Sequence, residues 1–245
     1  MTNTLANENQ RLQIIYQDHH LIAVNKPARV PVASEDSGDV TLLDLVRNWN
    51  QERQVEGKKG YCVPIHFLDR PVSGVILFAI SSKAASRLNE SFRSHQLTKT
   101  YLAVAECRPT EDEGILEHWL TKNKETNVTS VARKEIRDAK YCKLSYKFIG
   151  EVDRYSLLEV QPVTGRSHQI RVQMAAIGCP LFGDKKYGAQ GSWDGRVALH
   201  AFSLSIKHPV GSELLNLTAP LPADWKVISS KVDFAFNNYL QKGKV

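Results

Sequence analysis

Hydrophobic residues follow two spacings along this 245-residue chain. Two short apolar runs, Leu12–Tyr16 and Leu21–Val24, flank the polar turn Asp18-His19-His20 and predict a β-hairpin, which Pro27 and Pro31 end. Val75–Ile80 is a continuous apolar run and predicts a buried strand; Tyr101–Ala105 predicts another. Cys142, Leu144, Tyr146 and Phe148 alternate with polar residues, which places a half-buried strand there, and Tyr155–Val160 follows as the next. Val197–Ile206 and Leu214–Leu217 are the last expected strands, joined through His208-Pro-Val-Gly211. The helical spacing is rarer. Leu43, Val46 and Trp49 mark a short helix over Leu42–Trp49. Ser81 and Ser82 open a second helix through His95, with Ala85, Leu88 and Phe92 on one face. Ser167 is expected to cap a third, running to about Ile177 with Ile170, Met174 and Ile177 as its core stripe and Gly178 as its stop. The polar, basic stretch 121–140 reads as an irregular hairpin or loop insertion. Residues 33–40 read as a polar loop and 51–60 as a charged stretch. Strands dominate with few helices between them, so the expected class is α+β on a mixed, largely antiparallel sheet.

Composition narrows the partners more than the fold. Lys and Arg exceed Asp and Glu, 32 to 26, a formal charge of +6. Such an excess suits a polyanion, because Lys and Arg neutralise phosphates and release counterions. Cys62, Cys107, Cys142 and Cys179 are far apart with no CxxC pair, so neither a zinc site nor a disulfide framework is expected, and reduced thiols of a cytoplasmic protein are. No apolar run approaches the ~18 residues a membrane helix needs, and the polar first ten residues read as a disordered leader without a signal-peptide pattern. A catalytic domain is expected over 11–225 and a C-terminal extension over 226–245.

Three stretches stand apart from ordinary core or surface. In HFLDRPVSG, residues 66–74, Asp69 and Arg70 precede a buried strand, and Pro71 and Gly74 restrict or free the backbone locally. Taken alone, this segment reads first as an exposed Asp–Arg turn and second as a carboxylate at the mouth of a sheet. Tyr101 in LTKTY is either half-buried packing or a flat face for a base, with a hydroxyl able to move a proton. In PVTGRSHQIRVQMAAIG, residues 162–178, Gly165 and Arg166 lead into a helix start where amides and a guanidinium can meet phosphates. His168 and Arg171 are three apart and share a helix face. Arg171 lies close enough to the core stripe to invite a buried carboxylate partner; snorkelling to solvent is the alternative. The eight His residues show no HExxH spacing, and GxGxxG, GxxxxGK[ST] and GxSxG are all missing. A carboxylate, a tyrosine and arginines on a basic chain fit acid–base or nucleophilic work on nucleic acid, without selecting a reaction.

A resemblance to a known family points to one. The chain resembles the RluA-type RNA pseudouridine synthases over residues 12–222, through LIAVNKP (21–27), HFLDRPVSG, KTYLAV (99–104), PVTGRSHQIRVQM (162–174), PLFGDKKYG (180–188), and LHA (199–201) before HPVG (208–211). The resemblance implies a sheet in two subdomains with a central RNA-binding cleft, and isomerisation of a uridine in transfer or ribosomal RNA. It implies no cofactor and no metal. Asp69 matches the family's catalytic aspartate, which either attacks the sugar's anomeric carbon or removes the neighbouring sugar proton. Arg171 matches the arginine that pairs with it, Tyr101 the tyrosine that packs on the base, and Leu199 an apolar wall of the uracil pocket. The family flips the uridine with an arginine two positions before the aspartate; here that position is Phe67, which can stack but cannot contact a phosphate, leaving Arg70 or Arg166 to compensate. With His168, these residues make up the expected RNA-binding set.

Two other readings compete with a monomeric cytoplasmic synthase. One is a non-catalytic RNA-binding or RNA-remodelling protein on the same scaffold, favoured by Phe67 and opposed by the retained Asp69, Tyr101 and Arg171. The other is a nucleoside hydrolase, which needs two carboxylates about the scissile bond; Asp184 is the only further acidic residue in these motifs.

Overall fold

The computed structural model describes residues 12–33, 38–51, 60–211 and 213–242. The leader expected over 1–10 lies outside the described residues, as do parts of the loop expected over 33–40 and of the charged stretch over 51–60. In chain order the strands are β1 (Gln13–Gln17), β2 (Leu21–Lys26), β3 (Val63–Pro64), β4 (Ser73–Ala79), β5 (Leu97–Ala105), β6 (Glu113–Asn123), β7 (Val128–Ala132), β8 (Lys140–Val152), β9 (Tyr155–Pro162), β10 (Leu199–Lys207) and β11 (Leu214–Thr218). The helices are α1 (Leu42–Gln51), α2 (Ser82–Arg93), α3 (Gln169–Ala176) and α4 (Val232–Lys242). The chain divides into two units, the first from 1–97 and 203–219, the second from 98–202 and 220–245.

In the first unit β1, β2 and β4 pair antiparallel in that order, β3 also pairs with β4, and β11 pairs antiparallel with Ser203–Lys207 of β10. β2 and β4 are apolar at nearly every position because both of their faces are covered. Leu21, Ala23, Val75, Leu77 and Ala79 pack with Ala84, Ala85 and Leu88 of α2. The alternate residues Ile22, Val24, Ile76 and Phe78 pack with Leu42 and Val46 of α1. Side chains that alternate between two covered faces give a continuous apolar run, here in an antiparallel setting. Both helices start on side-chain caps. Ser81 Oγ accepts from Ala84 N–H at 3.2 Å. Thr41 and Asp44 form a reciprocal box, with Asp44 N–H donating to Thr41 Oγ1 at 3.1 Å and Thr41 N–H to Asp44 Oδ2 at 3.0 Å. Asp18 fastens the β1–β2 turn: Oδ1 accepts from the amides of His20 and Leu21 at 2.7 and 2.9 Å, and Oδ2 meets His208 Nε2 at 2.7 Å. Burial works against its charge, but these bonds prevail and hold the Asp18 carboxyl below its ordinary range.

In the second unit the strands pair antiparallel in the order β5, β9, β8, β6, β7. The basic stretch expected as an irregular hairpin or loop insertion supplies the end of β6, all of β7 and the loop into β8; its first part is a hairpin, and a regular one. Leu102, Val104 and Leu157 build a core with Trp225, Ile228, Val232, Ala235 and Phe236. The residues expected as a C-terminal extension therefore contribute helix α4 to that core. The α+β class with a largely antiparallel sheet holds.

α3 departs from its expected start. Ser167 does not cap it; the cap position is His168, in the left-handed region at φ 53° and without a side-chain cap bond. Gln169, buried at the first helical position, takes over the fastening. Its Oε1 accepts from Thr164 Oγ1 at 2.7 Å and Arg166 N–H at 3.0 Å, and its Nε2 donates to Lys143 O at 3.1 Å. The helix ends at Gly178, where φ is 77°, as expected.

Candidate active site

The first unit holds the Asp69 loop between β3 and β4. A turn closes on Asp69, whose carbonyl accepts from Val72 N–H at 3.0 Å. The next carbonyl, of Arg70, accepts from Arg29 N–H at 2.7 Å and from Lys26 Nζ at 3.1 Å. Lys26 is fully buried and also donates to Pro27 O and Val30 O at 3.0 and 2.7 Å. A desolvated ammonium needs several acceptors, and here these carbonyls tie the loop after β2 to the Asp69 loop. Gly74, opposite Lys26 in the β2–β4 register, has φ 116°, a conformation that favours glycine as the chain enters β4. His66 is structural: its Nε2 accepts from Leu77 N–H at 3.1 Å and its ring stacks on Phe92. Asp69 is half-buried, Arg70 pairs with Asp39, and Phe67 is 66% exposed.

The second unit holds the remaining expected residues. Tyr101 and Lys99 lie two apart on β5 and share the face opposite Leu102 and Val104. Leu199, 4% exposed, opens β10. Lys143 O accepts from Val163 N–H at 2.9 Å and Thr164 N–H at 3.3 Å, so with the Gln169 bonds the loop before α3 is tightly held. Arg166 stays exposed and donates from Nε to Tyr141 O at 3.1 Å.

Arg171 has the buried carboxylate its position invites, and it is Asp184. Nε meets Oδ2 at 2.7 Å and Nη2 meets Oδ1 at 2.8 Å, a bidentate pair with side chains 5% and 1% exposed. Tyr187 sits against the same guanidinium, its ring centroid 5.1 Å from the Arg171 guanidinium carbon. Its hydroxyl accepts from Thr129 N–H at 3.1 Å and lies 2.6 Å from His168 Nδ1. The hydroxyl and Nδ1 share one hydrogen bond, and the tautomer of the His168 ring decides which of the two donates. Burial first of all raises the Tyr187 pKa, so the phenol keeps its proton. His168 and Arg171 thus converge on one tyrosine, although His168 precedes the helix proper.

Asp69, Phe67 and Arg70 therefore share one loop of the first unit, while His168, Arg171, Asp184 and Tyr187 form one network of the second. Both oxygens of Asp184 are occupied by Arg171, which removes the second carboxylate a hydrolase would need from these motifs. Among the described residues no group of three or more His, Cys, Asp or Glu is placed to hold a metal ion. A cavity of about 470 Å³ over β6, β8 and β9, lined by Glu113, Tyr146 and Glu159 among others, contains none of the expected site residues. Sequence reasoning gave no role to Lys26, Lys99 or Tyr187. The signal for Lys26 was a cation closing a strand that opens on four apolar residues; Tyr187 carried none beyond its place in FGDKKYG.

Residues 20–176 match the family model described as RNA pseudouridylate synthase. A tRNA pseudouridine synthase C of Pectobacterium carotovorum is 35% identical over 88% of this chain, which spans 60% of that relative's length. A tRNA pseudouridine synthase C of Vibrio parahaemolyticus is 32% identical over 91% of this chain and 96% of its own. Among solved structures, human RNA pseudouridylate synthase domain containing 4 superposes with a TM-score of 0.72 at 25% identity, over 87% of this chain and 90% of that one. The chain belongs to the RNA pseudouridylate synthase family.

Proposed function

We propose that this chain isomerises a uridine of transfer RNA to pseudouridine, with Asp69 as its catalytic carboxylate. The observation that carries the reading is the Asp69 loop, a family-matched aspartate on a turn whose backbone a fully buried lysine fastens. Pre-organisation of that kind suits a group that must meet a reacting carbon or proton within a fraction of an ångström. Asp69 attacks the anomeric carbon or takes the neighbouring sugar proton. The bond from ring nitrogen to sugar breaks, the base turns, and a ring carbon bonds to the sugar, which releases the Asp69 carboxylate or takes its proton back; the ring carbon then loses its proton and the freed ring nitrogen gains one. Product and substrate are isomers, so the reaction needs no redox partner or energy source. Tyr101 packs on the base and handles the ring-carbon proton. Arg171 holds negative charge at the site, Leu199 walls the uracil, and Arg70, Arg166 and His168 contact the RNA. Phe67, exposed at the family's flipping position, stacks where the uridine leaves; base–aromatic stacking of roughly 1–3 kcal/mol offsets part of the few kcal/mol that flipping costs. The transfer RNA assignment is supported by the names of the relatives above.

No helix among the described residues is long and apolar enough to cross a membrane, and we take the protein to act as a cytoplasmic monomer. Phe67 also favours a second reading, a non-catalytic RNA-binding protein. The test is a pseudouridine map of cellular RNA from strains lacking the gene, complemented with wild type or with Asp69→Asn. A transfer RNA site restored only by wild type is expected. A ribosomal site would correct the substrate, and restoration by Asp69→Asn would refute the role of Asp69. No changed site, with RNA still bound, would leave the non-catalytic reading.

A further inference from the structure

Lys99 is not accounted for by any of these roles. Its ammonium is half-buried on β5, and among the described residues its one polar partner is Thr164 O, at 3.5 Å. That is a long contact for a desolvated cation, which ordinarily pairs with a carboxylate or several acceptors. Burial pushes its pKa down to about 8, as expected where nothing offsets the lost hydration. A Cβ placed on Gly165 would lie 3.7 Å from Lys99 Nζ, so the glycine leaves that approach open. The neighbouring amides are spent internally, those of Val163 and Thr164 on Lys143 O and that of Arg166 on Gln169 Oε1. Gly165 N–H has no acceptor among the described residues. Arg166 follows directly, exposed and with no carboxylate partner among the described residues. A cation with one long contact and an unused amide beside a side-chain-free residue, with an exposed arginine next in the chain, are complementary to an anion.

We propose that Lys99 and the Gly165 amide form a subsite for a phosphodiester of the RNA substrate, with Arg166 adding to its positive potential. The subsite rests on the reading of the chain as an RNA-modifying enzyme. It would fix the strand near the base that Tyr101 receives, because Lys99 and Tyr101 share one face of β5, making Lys99 a positioning residue rather than a catalytic one.

The full chain is tested by retention of unfractionated transfer RNA on filters across a salt series, for wild type, Lys99→Met and Lys99→Arg, with thermal unfolding to establish that each variant is folded. Loss of one phosphate contact should make the plot of log affinity against log salt shallower by about 0.7 to 0.9. The wild-type advantage over Lys99→Met then grows about five- to eightfold for each tenfold fall in salt. Lys99→Arg should recover the wild-type slope, which a packing role for the lysine stem would not require. Superposable curves for wild type and Lys99→Met would overturn the subsite. Pseudouridine formation by the wild type is scored in parallel: its absence would refute the proposed function, while the salt slope still decides the subsite.

Discussion

Arg171→Met separates the two demands made on that arginine. The structure assigns its guanidinium to Asp184 through bonds of 2.7 and 2.8 Å, with the two side chains 5% and 1% exposed. Removing the arginine strands a carboxylate with almost no access to water. Breaking a buried pair in this way costs about 3–5 kcal/mol, a large part of the roughly 5–15 kcal/mol that holds a typical domain together. At about 2 kcal/mol per molar urea, the midpoint should fall by roughly 1.5–2.5 M. Fluorescence of Trp225, buried in the core of the same unit, reports the transition. The double variant Arg171→Met/Asp184→Leu should recover most of the loss, because apolar replacement of a whole buried pair is often neutral or stabilising. A shift below about 1 kcal/mol in the single variant, or a double variant no better than the single, would refute the assignment. The double variant then poses the functional question on a folded protein. If it no longer forms pseudouridine, Arg171 acts on the reaction as well as on the fold; if it does, its role is confined to the ion pair.

Thr41→Ala removes half of the capping box at the start of α1 and should cost about 1 kcal/mol in urea unfolding; an unchanged midpoint would mean the cap is satisfied by water. Lys99→Met should be more stable than wild type at neutral pH. The lysine pKa falls from 10.5 when unfolded to about 8 when folded, so below pH 8 both states are protonated and folding carries the desolvation penalty. Between pH 8 and 10.5 the unfolded chain binds more protons, and wild-type stability rises with pH relative to the variant. The stability difference should shrink by up to about 3 kcal/mol across that window, at roughly 1.4 kcal/mol per pKa unit. A difference that does not change with pH would mean the lysine is not desolvated in the folded state.

The elements legible in the sequence are those whose burial is local in cause. β2 and β4 announce themselves because α1 and α2 cover both faces, so neither strand carries a polar alternation to be misread. The Ser81 cap and the Gly178 stop are equally local, being set by a side chain and a backbone angle at the boundary itself. β6 is harder to read because its partners decide its fate. Its residues alternate between exposed and part-buried with few apolar side chains, and pairing with both β7 and β8 is what makes Glu113–Asn123 a strand. α4 is similar, since Val232, Ala235 and Phe236 acquire a role from Leu102, Val104 and Leu157, more than seventy residues earlier in the chain.

The site divides along the same line. Asp69 was legible through a motif, and the residue is half-buried on its loop. The start of α3 was misread because Ser167 has the right chemistry for a cap, while Gln169 has the longer reach that the loop requires. Oε1 of Gln169 serves Thr164 and Arg166 at once, and its Nε2 serves Lys143 on β8. Local propensity favours the serine, and the tertiary hydrogen bonds override it. Arg171 shows the same effect at greater separation. The two motifs PVTGRSHQIRVQM and PLFGDKKYG look like independent anchors in sequence, yet Arg171 of the first is saturated on one edge by Asp184 of the second, and His168 of the first is oriented by Tyr187 of the second. A substitution in either motif therefore acts on both. Arg171 and His168 are placed by groups that touch no substrate in the proposed reaction, so loss of Asp184 or Tyr187 should disturb the site without removing any residue that meets the RNA.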